Sequence, residues 1–351
     1  MKATERIVRV VLPVDLIRKI DQAILAGNGG YQTRTELVRD AVEAYVLELT
    51  HEPAPDEPLT TTAPGDGGVG RPEALPPLRE QNGTGYGLEF TVVRCSSRGA
   101  TIQGGDAEVS DEVLFGLHNR DFSTVWALGK LADLTRGGPV PLHEFRAHVV
   151  TAAWQFAARL LPLEKRYGGK LTALFPTNKK RPESASDTFF TFAVGACEEN
   201  GAKVRASGPI YLWRAAQVVR RDGRLLVGLT DKGYDLLESL DGISLELPHG
   251  PELAERFLLH LHRHAPADWW GFRNVLEAVE PGITRAELIA AFQRLRPDWT
   301  PTQASTIASG YVARAREWGL AEPKLQGGRY VLTEVGIMQL QKEKERDYAR
   351  V

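Results

Sequence analysis

The chain has 351 residues, 42% of them hydrophobic, with 43 Lys and Arg against 45 Asp and Glu for a formal net charge of −2. That length allows two or three domains with a core in each, and the near-neutral balance leaves any nucleic-acid contact to a local basic face. No apolar run approaches the roughly 18 residues of a membrane span, no signal-peptide core follows the first charges, and Cys95 and Cys197 lack any CxxC or Cys/His spacing; a cytoplasmic, nucleoid-associated protein with reduced thiols is expected.

The first element is "RIVRVVLP", which alternates as a strand with Val8, Val10 and Leu12 on one face and Ile7, Arg9 and Val11 on the other. Pro13 ends the strand and opens a helix with Ile17, Ile20 and Ile24 on one stripe, closed by Gly27. "TRTE" then forms a capping box between Thr33 and Glu36, ahead of Leu37, Ala41, Val42, Tyr45 and Leu49 at helical spacing. A lone strand cannot satisfy its own backbone, and the segment is too small for a core. The partner strand is expected from a second copy of the chain.

On "RVVLP…GGYQTRTELVRDAV", residues 1–50 resemble the ribbon-helix-helix family of prokaryotic DNA-binding proteins, the Arc/MetJ/CopG type. The resemblance implies a homodimer paired through the N-terminal strand, with the two-stranded ribbon in the major groove of double-stranded DNA. It implies base contacts by Ile7, Arg9 and Val11, and phosphate contacts at the second helix start by Thr33, Arg34 and Thr35. Two of the three outward positions are apolar where polar side chains are common, so base specificity is expected to be weak or supplied partly elsewhere in the chain. A dimerisation ribbon without DNA binding is the structural alternative.

Residues 51–85 are rich in Pro, Gly, Thr and acids and read as a flexible linker. Residues 86–248 are read as a middle domain. It opens with a strand in "LEFTVVRC", followed by a helix in "STVWALGKLADLT" and one or two helices over "LHEFRAHVVTAAWQFAARLLPLEKRYG", interrupted or bent at Pro162. "SASDTFFTFAVGACEENG" reads as a further helix start. "QVVRRDGRLLVGLT" is a hairpin around Arg-Asp-Gly, with Arg220, Arg221 and Arg224 as a candidate basic wing near Lys203, Arg205 and Arg214, and "TDKGYDLLESL" is the closing helix.

Residues 249–351 repeat the theme. Thr284 caps a helix with Glu287 at the box position, a longer helix starts near Pro301, and "KLQGGRYVLTEVGIMQL" supplies a second hairpin and closing helix. The two endings resemble winged-helix domains in kind. In the second, Thr302, Gln303, Thr306, Arg314 and the hairpin residue Arg329 form a candidate second DNA site, with a solvated helix on an assembly domain as the other reading.

The fold class expected is mainly α with small β: a dimeric ribbon-helix-helix, a linker, and a mostly helical body with two winged-helix-like units. No nucleophile elbow, phosphate loop, zinc pattern or nuclease-like carboxylate cluster is present, so no catalytic residue, metal or cofactor is expected; His260 and His264, one turn apart with Asp268 beyond, are the nearest approach to a metal face. The functional expectation is a sequence-specific, double-stranded-DNA-binding transcriptional regulator, a homodimer on a pseudo-palindromic site. The alternative is a plasmid-partition, antitoxin-like or anti-phage defence adaptor whose body binds a protein partner.

Overall fold

A "DG" or "GG" turn with a Leu-Thr-acid exit recurs about a hundred residues apart, and each precedes a closing helix of the body. The protein is seen here as a computed structural model, which describes residues 92–348 other than 95–96, 106, 111, 168–170, 174 and 201–202. The ribbon and linker expectations therefore lie outside the described residues, as does Cys95. What is described is mainly helical with two small three-stranded sheets.

In chain order the first half comprises β1 (Ala107–Val109), α1 (Phe122–Leu134), β2 (Val140–Pro141), α2 (Leu142–Tyr167) and α3 (Pro182–Phe189), which runs into a π-helical turn, Phe190–Val194. β3 (Ala196–Asn200), β4 (Lys203–Ser207), the single turn α4 (Pro209–Leu212), β5 (Ala216–Arg221), β6 (Arg224–Leu229) and α5 (Asp231–Ser239) complete it. The second half comprises α6 (Pro251–His264), α7 (Pro266–Val279), α8 (Arg285–Leu295), α9 (Pro301–Glu317) and α10 (Glu334–Tyr348).

β2 pairs with β6, which pairs with β5, all antiparallel; β1 runs parallel to β4, and β3 antiparallel to it. The second half has single bridges in place of strands: Ile283 with Tyr330, and Ala321 with Leu332. Ile283 thus holds the place of Val140, and Tyr330 that of Val227. Each half is a helix, a short strand, a helix, then a further helix leading into a hairpin.

Local chemistry accounts for these elements. Asp222 and Gly223 both take left-handed φ, 49° and 73°, the pattern of a two-residue turn that matches strand twist. Thr284 and Glu287 form the expected capping box, and Thr300 with Gln303 forms a second ahead of Pro301. α2 is one helix, with Pro162 inside it on an exposed position where water can serve the carbonyl that loses its donor.

Three expectations are corrected. Of the strand expected in "LEFTVVRC" only 92–94 lie among the described residues, and they are not in a strand; Val93 exchanges backbone hydrogen bonds with Gly242 and Ile243. α3 begins at Pro182, two residues before the Ser-Ala-Ser-Asp run, because proline suits the first turn. The stretch read as one helix start in "SASDTFFTFAVGACEENG" ends as helix at Val194 and continues as β3; in β4, inward Val204 and Ala206 alternate with outward Lys203, Arg205 and Ser207, a period that decides strand.

One hydrophobic core runs through both halves, from Val125 and Leu128 of α1 through Phe257 and Phe272 to Leu340 of α10. Among the described residues no helix is long and apolar enough to cross a membrane.

Candidate nucleic-acid interface

The N-terminal half of α9 is the surface on which the second DNA site was expected. Thr302 is exposed there. The side-chain oxygen of Gln303 is occupied by the cap, accepting from the Thr300 N–H at 2.9 Å and from its hydroxyl at 3.1 Å. Thr306 donates its hydroxyl back to the Thr302 carbonyl at 2.8 Å. The loop at Gly116 lies directly on the Thr306 backbone, so close that a Cβ on Gly116 would fall 1.6 Å from the Thr306 carbonyl oxygen. Arg329 is turned onto its own domain, donating to the Gly282 carbonyl at 2.9 Å and approaching Glu287 at 3.4 Å.

Arg314 corrects the reading most sharply. It is fully buried and reaches no outside surface. Its Nε donates to Asp121 Oδ1 at 2.8 Å, and its two terminal nitrogens donate to Asp268 at 2.6 and 2.7 Å. Burial alone would lower its pKa, but the carboxylates of Asp121 and Asp268 overturn that, and the guanidinium is held more firmly charged than usual. The ring of Phe272 lies 4.5 Å from the guanidinium carbon.

The same two carboxylates join the halves reciprocally. Asp121, at the start of α1, accepts from the Trp318 indole at 2.6 Å; Asp268, in the first turn of α7, accepts from the Trp213 indole at 2.8 Å. Each half's tryptophan thus serves the other half's aspartate. Tyr311 donates to Asp268 at 2.6 Å, and His118 Nε2 lies 2.8 Å from Asp121 while its Nδ1 lies 2.6 Å from the Phe192 carbonyl in the π-helical turn. Glu317 accepts from the Asp121 and Phe122 backbone N–H groups at 2.6 and 3.0 Å, an anion on the N-terminus of α1. Burial would raise its pKa, but His249, 3.5 Å away, and these N–H donors bring it below the ordinary value.

Spacing in α9 carried the signal that Arg314 is internal. Ala304, Ile307, Ala308, Tyr311 and Trp318 make the buried stripe, and Arg314 falls two turns past Ile307 on that stripe. A buried arginine needs acids, and Asp121 and Asp268 are far away in sequence.

The middle hairpin is different. Arg221 and Arg224 sit opposite each other at its tip, both exposed, with no carboxylate holding them among the described residues. Arg220 lies 3.5 Å from Glu199 of β3. Arg205 is flanked in register by Glu108 and Glu198 and lies 3.6 Å from Glu112. Arg214 adopts a left-handed φ of 57° just before β5.

His260 Nε2 meets the Trp213 carbonyl at 2.9 Å, and burial brings its pKa down to about 4. No cluster of three metal-ligating side chains occurs among the described residues. Cys197 is free, and burial pushes its thiol up to about 11. Ile7, Arg9, Val11, Thr33, Arg34 and Thr35 lie outside the described residues.

No family model, curated protein or solved structure matches the chain. The functional reading therefore rests on residues and geometry alone.

Proposed function

We propose that the protein binds double-stranded DNA sequence-specifically as a homodimer, with the N-terminal ribbon as reader, and acts as a transcriptional regulator on a pseudo-palindromic site. The observation that carries this reading is the N-terminal sequence pattern, whose alternation predicts a strand with Arg9 facing outward, followed by two stretches of helical spacing separated by glycines and a Thr33-x-x-Glu36 box. The body supports it in part: in the second half Arg314 is buried against Asp121 and Asp268 and Arg329 is turned onto Gly282, which leaves Thr302 and Gln303 as the exposed members of that candidate site. Its two halves then form a platform carried by the ribbon.

The test is selection of bound genomic fragments by full-length protein beside Arg9→Ala. Recovery of a few palindromic sites by the first and loss of them by the second is the expected result. Equal selection by both would remove the ribbon as reader.

A second reading is favoured by one observation. Phe115 and Leu117 are about half exposed on the loop that covers α9, with Phe115 stacked on Phe192. A partition, antitoxin-like or defence adaptor would present such a surface to a protein partner, and a stoichiometric partner co-purifying with wild type but not with Phe115→Ser would support it.

A further inference from the structure

Two hairpins in the first half are joined near their ends by one ion pair, and the charges at those ends are not what folding requires. Arg220 on β5 reaches Glu199 on β3 at 3.5 Å, and each stands one residue from its hairpin end, where Asn200 pairs with Lys203 and Arg221 with Arg224. At that second end Arg221 and Arg224 are direct cross-strand partners around Asp222 and Gly223. The turn itself needs only Asp-Gly; like charges placed directly opposite destabilise a hairpin. Lys203, Arg221 and Arg224 are all exposed and held by no carboxylate of the described residues.

The surrounding acids are already accounted for on this edge or away from it. Glu199 is engaged with Arg220, while Glu108, Glu112 and Glu198 surround Arg205 farther along β4. Asp222 is the one carboxylate at the tip itself, leaving Lys203, Arg221 and Arg224 in excess there. The corresponding hairpin of the second half has Gly327 and Gly328 at its turn, and its Arg329 is bound to Gly282 and Glu287. Lys324 is exposed on that hairpin as well, so the first half differs in number, with Lys203, Arg221 and Arg224 against Lys324.

We infer that the edge formed by Lys203, Arg221 and Arg224 is a second nucleic-acid contact, one that grips the phosphate backbone without reading bases. This inference rests on the proposed DNA-binding role and assigns the body a part in it. Exposed cations with no aromatic ring stacked on them among the described residues suit phosphate oxygens, and each phosphate neutralised releases condensed counterions.

The experiment is the salt dependence of binding to a selected duplex, for full-length wild type, Lys203→Ala/Arg221→Ala/Arg224→Ala and Arg9→Ala, with thermal melts to show that the exposed substitutions leave the fold intact. Removal of three phosphate contacts is expected to flatten the slope of log affinity against log salt by about 2 to 3. Between 50 and 200 mM salt, wild type should then lose about 40-fold more affinity than the triple variant, with the selected sequence unchanged. An unaltered slope in the triple variant, with Arg9→Ala still abolishing selection, overturns the edge and leaves the ribbon. A flattened slope with Arg9→Ala selecting normally keeps the edge and overturns the ribbon. Absence of any DNA binding by wild type overturns both.

Discussion

The two halves of the body share a set of hydrogen bonds as well as an element order, and they differ in what they do with charge. Thr230 accepts from the Gly233 N–H at 3.1 Å and donates to the Arg214 carbonyl at 2.6 Å; Thr333 accepts from Gly336 at 3.1 Å and donates to Gly319 at 2.6 Å. Arg214 and Gly319 both take left-handed φ, and each follows the tryptophan that crosses to the other half. Yet four residues before those tryptophans stand Pro209 in one half and Arg314 in the other. A shared backbone frame has thus been given a buried cation on one side and, at a hairpin tip, exposed cations on the other. Shared hydrogen-bonding geometry does not carry shared surface chemistry with it.

The largest effect is expected where the halves exchange partners. Asp268→Ala leaves Arg314, Tyr311 and the Trp213 indole facing an empty position and should cost about 3–5 kcal/mol in chemical denaturation. A loss below about 1 kcal/mol would mean that the exchange is incidental.

Next comes a pH effect confined to the contact of His260 with Trp213. The folded pKa of His260 is depressed to about 4 by burial, with Lys232 and His264 adding to the fall and the Trp213 carbonyl opposing it. Below the unfolded value of about 6.5 the unfolded chain takes the proton and the folded one does not, so stability falls as pH drops from there toward 4. The loss should be on the order of 2–3 kcal/mol and be reduced in His260→Gln, as read from denaturant midpoints across that range.

The paired glycines then test how alike the halves are. A Cβ on Gly233 would lie 2.0 Å from the Ala215 carbonyl oxygen, and one on Gly336 would lie 2.0 Å from that of Leu320. Gly233→Ala and Gly336→Ala should each destabilise by about 1–3 kcal/mol and by similar amounts in thermal melts. Markedly unequal losses would show that only one half depends on that contact. The smallest effect belongs to Thr230→Ala and Thr333→Ala, at about 1 kcal/mol each for a lost cap, measured the same way.

The parts of this arrangement that are local were legible in the residues. Asp222-Gly223 between apolar strands announces its hairpin, Thr284 and Glu287 announce their cap, and the likeness of the two Leu-Thr-acid exits points to the repeat. The β3–β4 hairpin was hidden because Glu198, Glu199 and Asn200 are poor strand formers that gain their place from pairing with β4. Arg314 was read as a surface cation because residue type outweighed its position on the buried stripe. The crossed Trp–Asp contacts span 55 and 197 residues, and no local period encodes a pairing at that distance.

The meeting of Gly116 with α9 has a kinetic side. A Cβ on Gly310 would lie 2.6 Å from the Gly116 Cα, so the loop and the helix touch backbone to backbone without side chains between them. Such a seam has no rotamers to shift and no side chain to swing aside. The loop can leave the helix only as a whole segment, and amides on both sides should therefore exchange with solvent in one concerted opening.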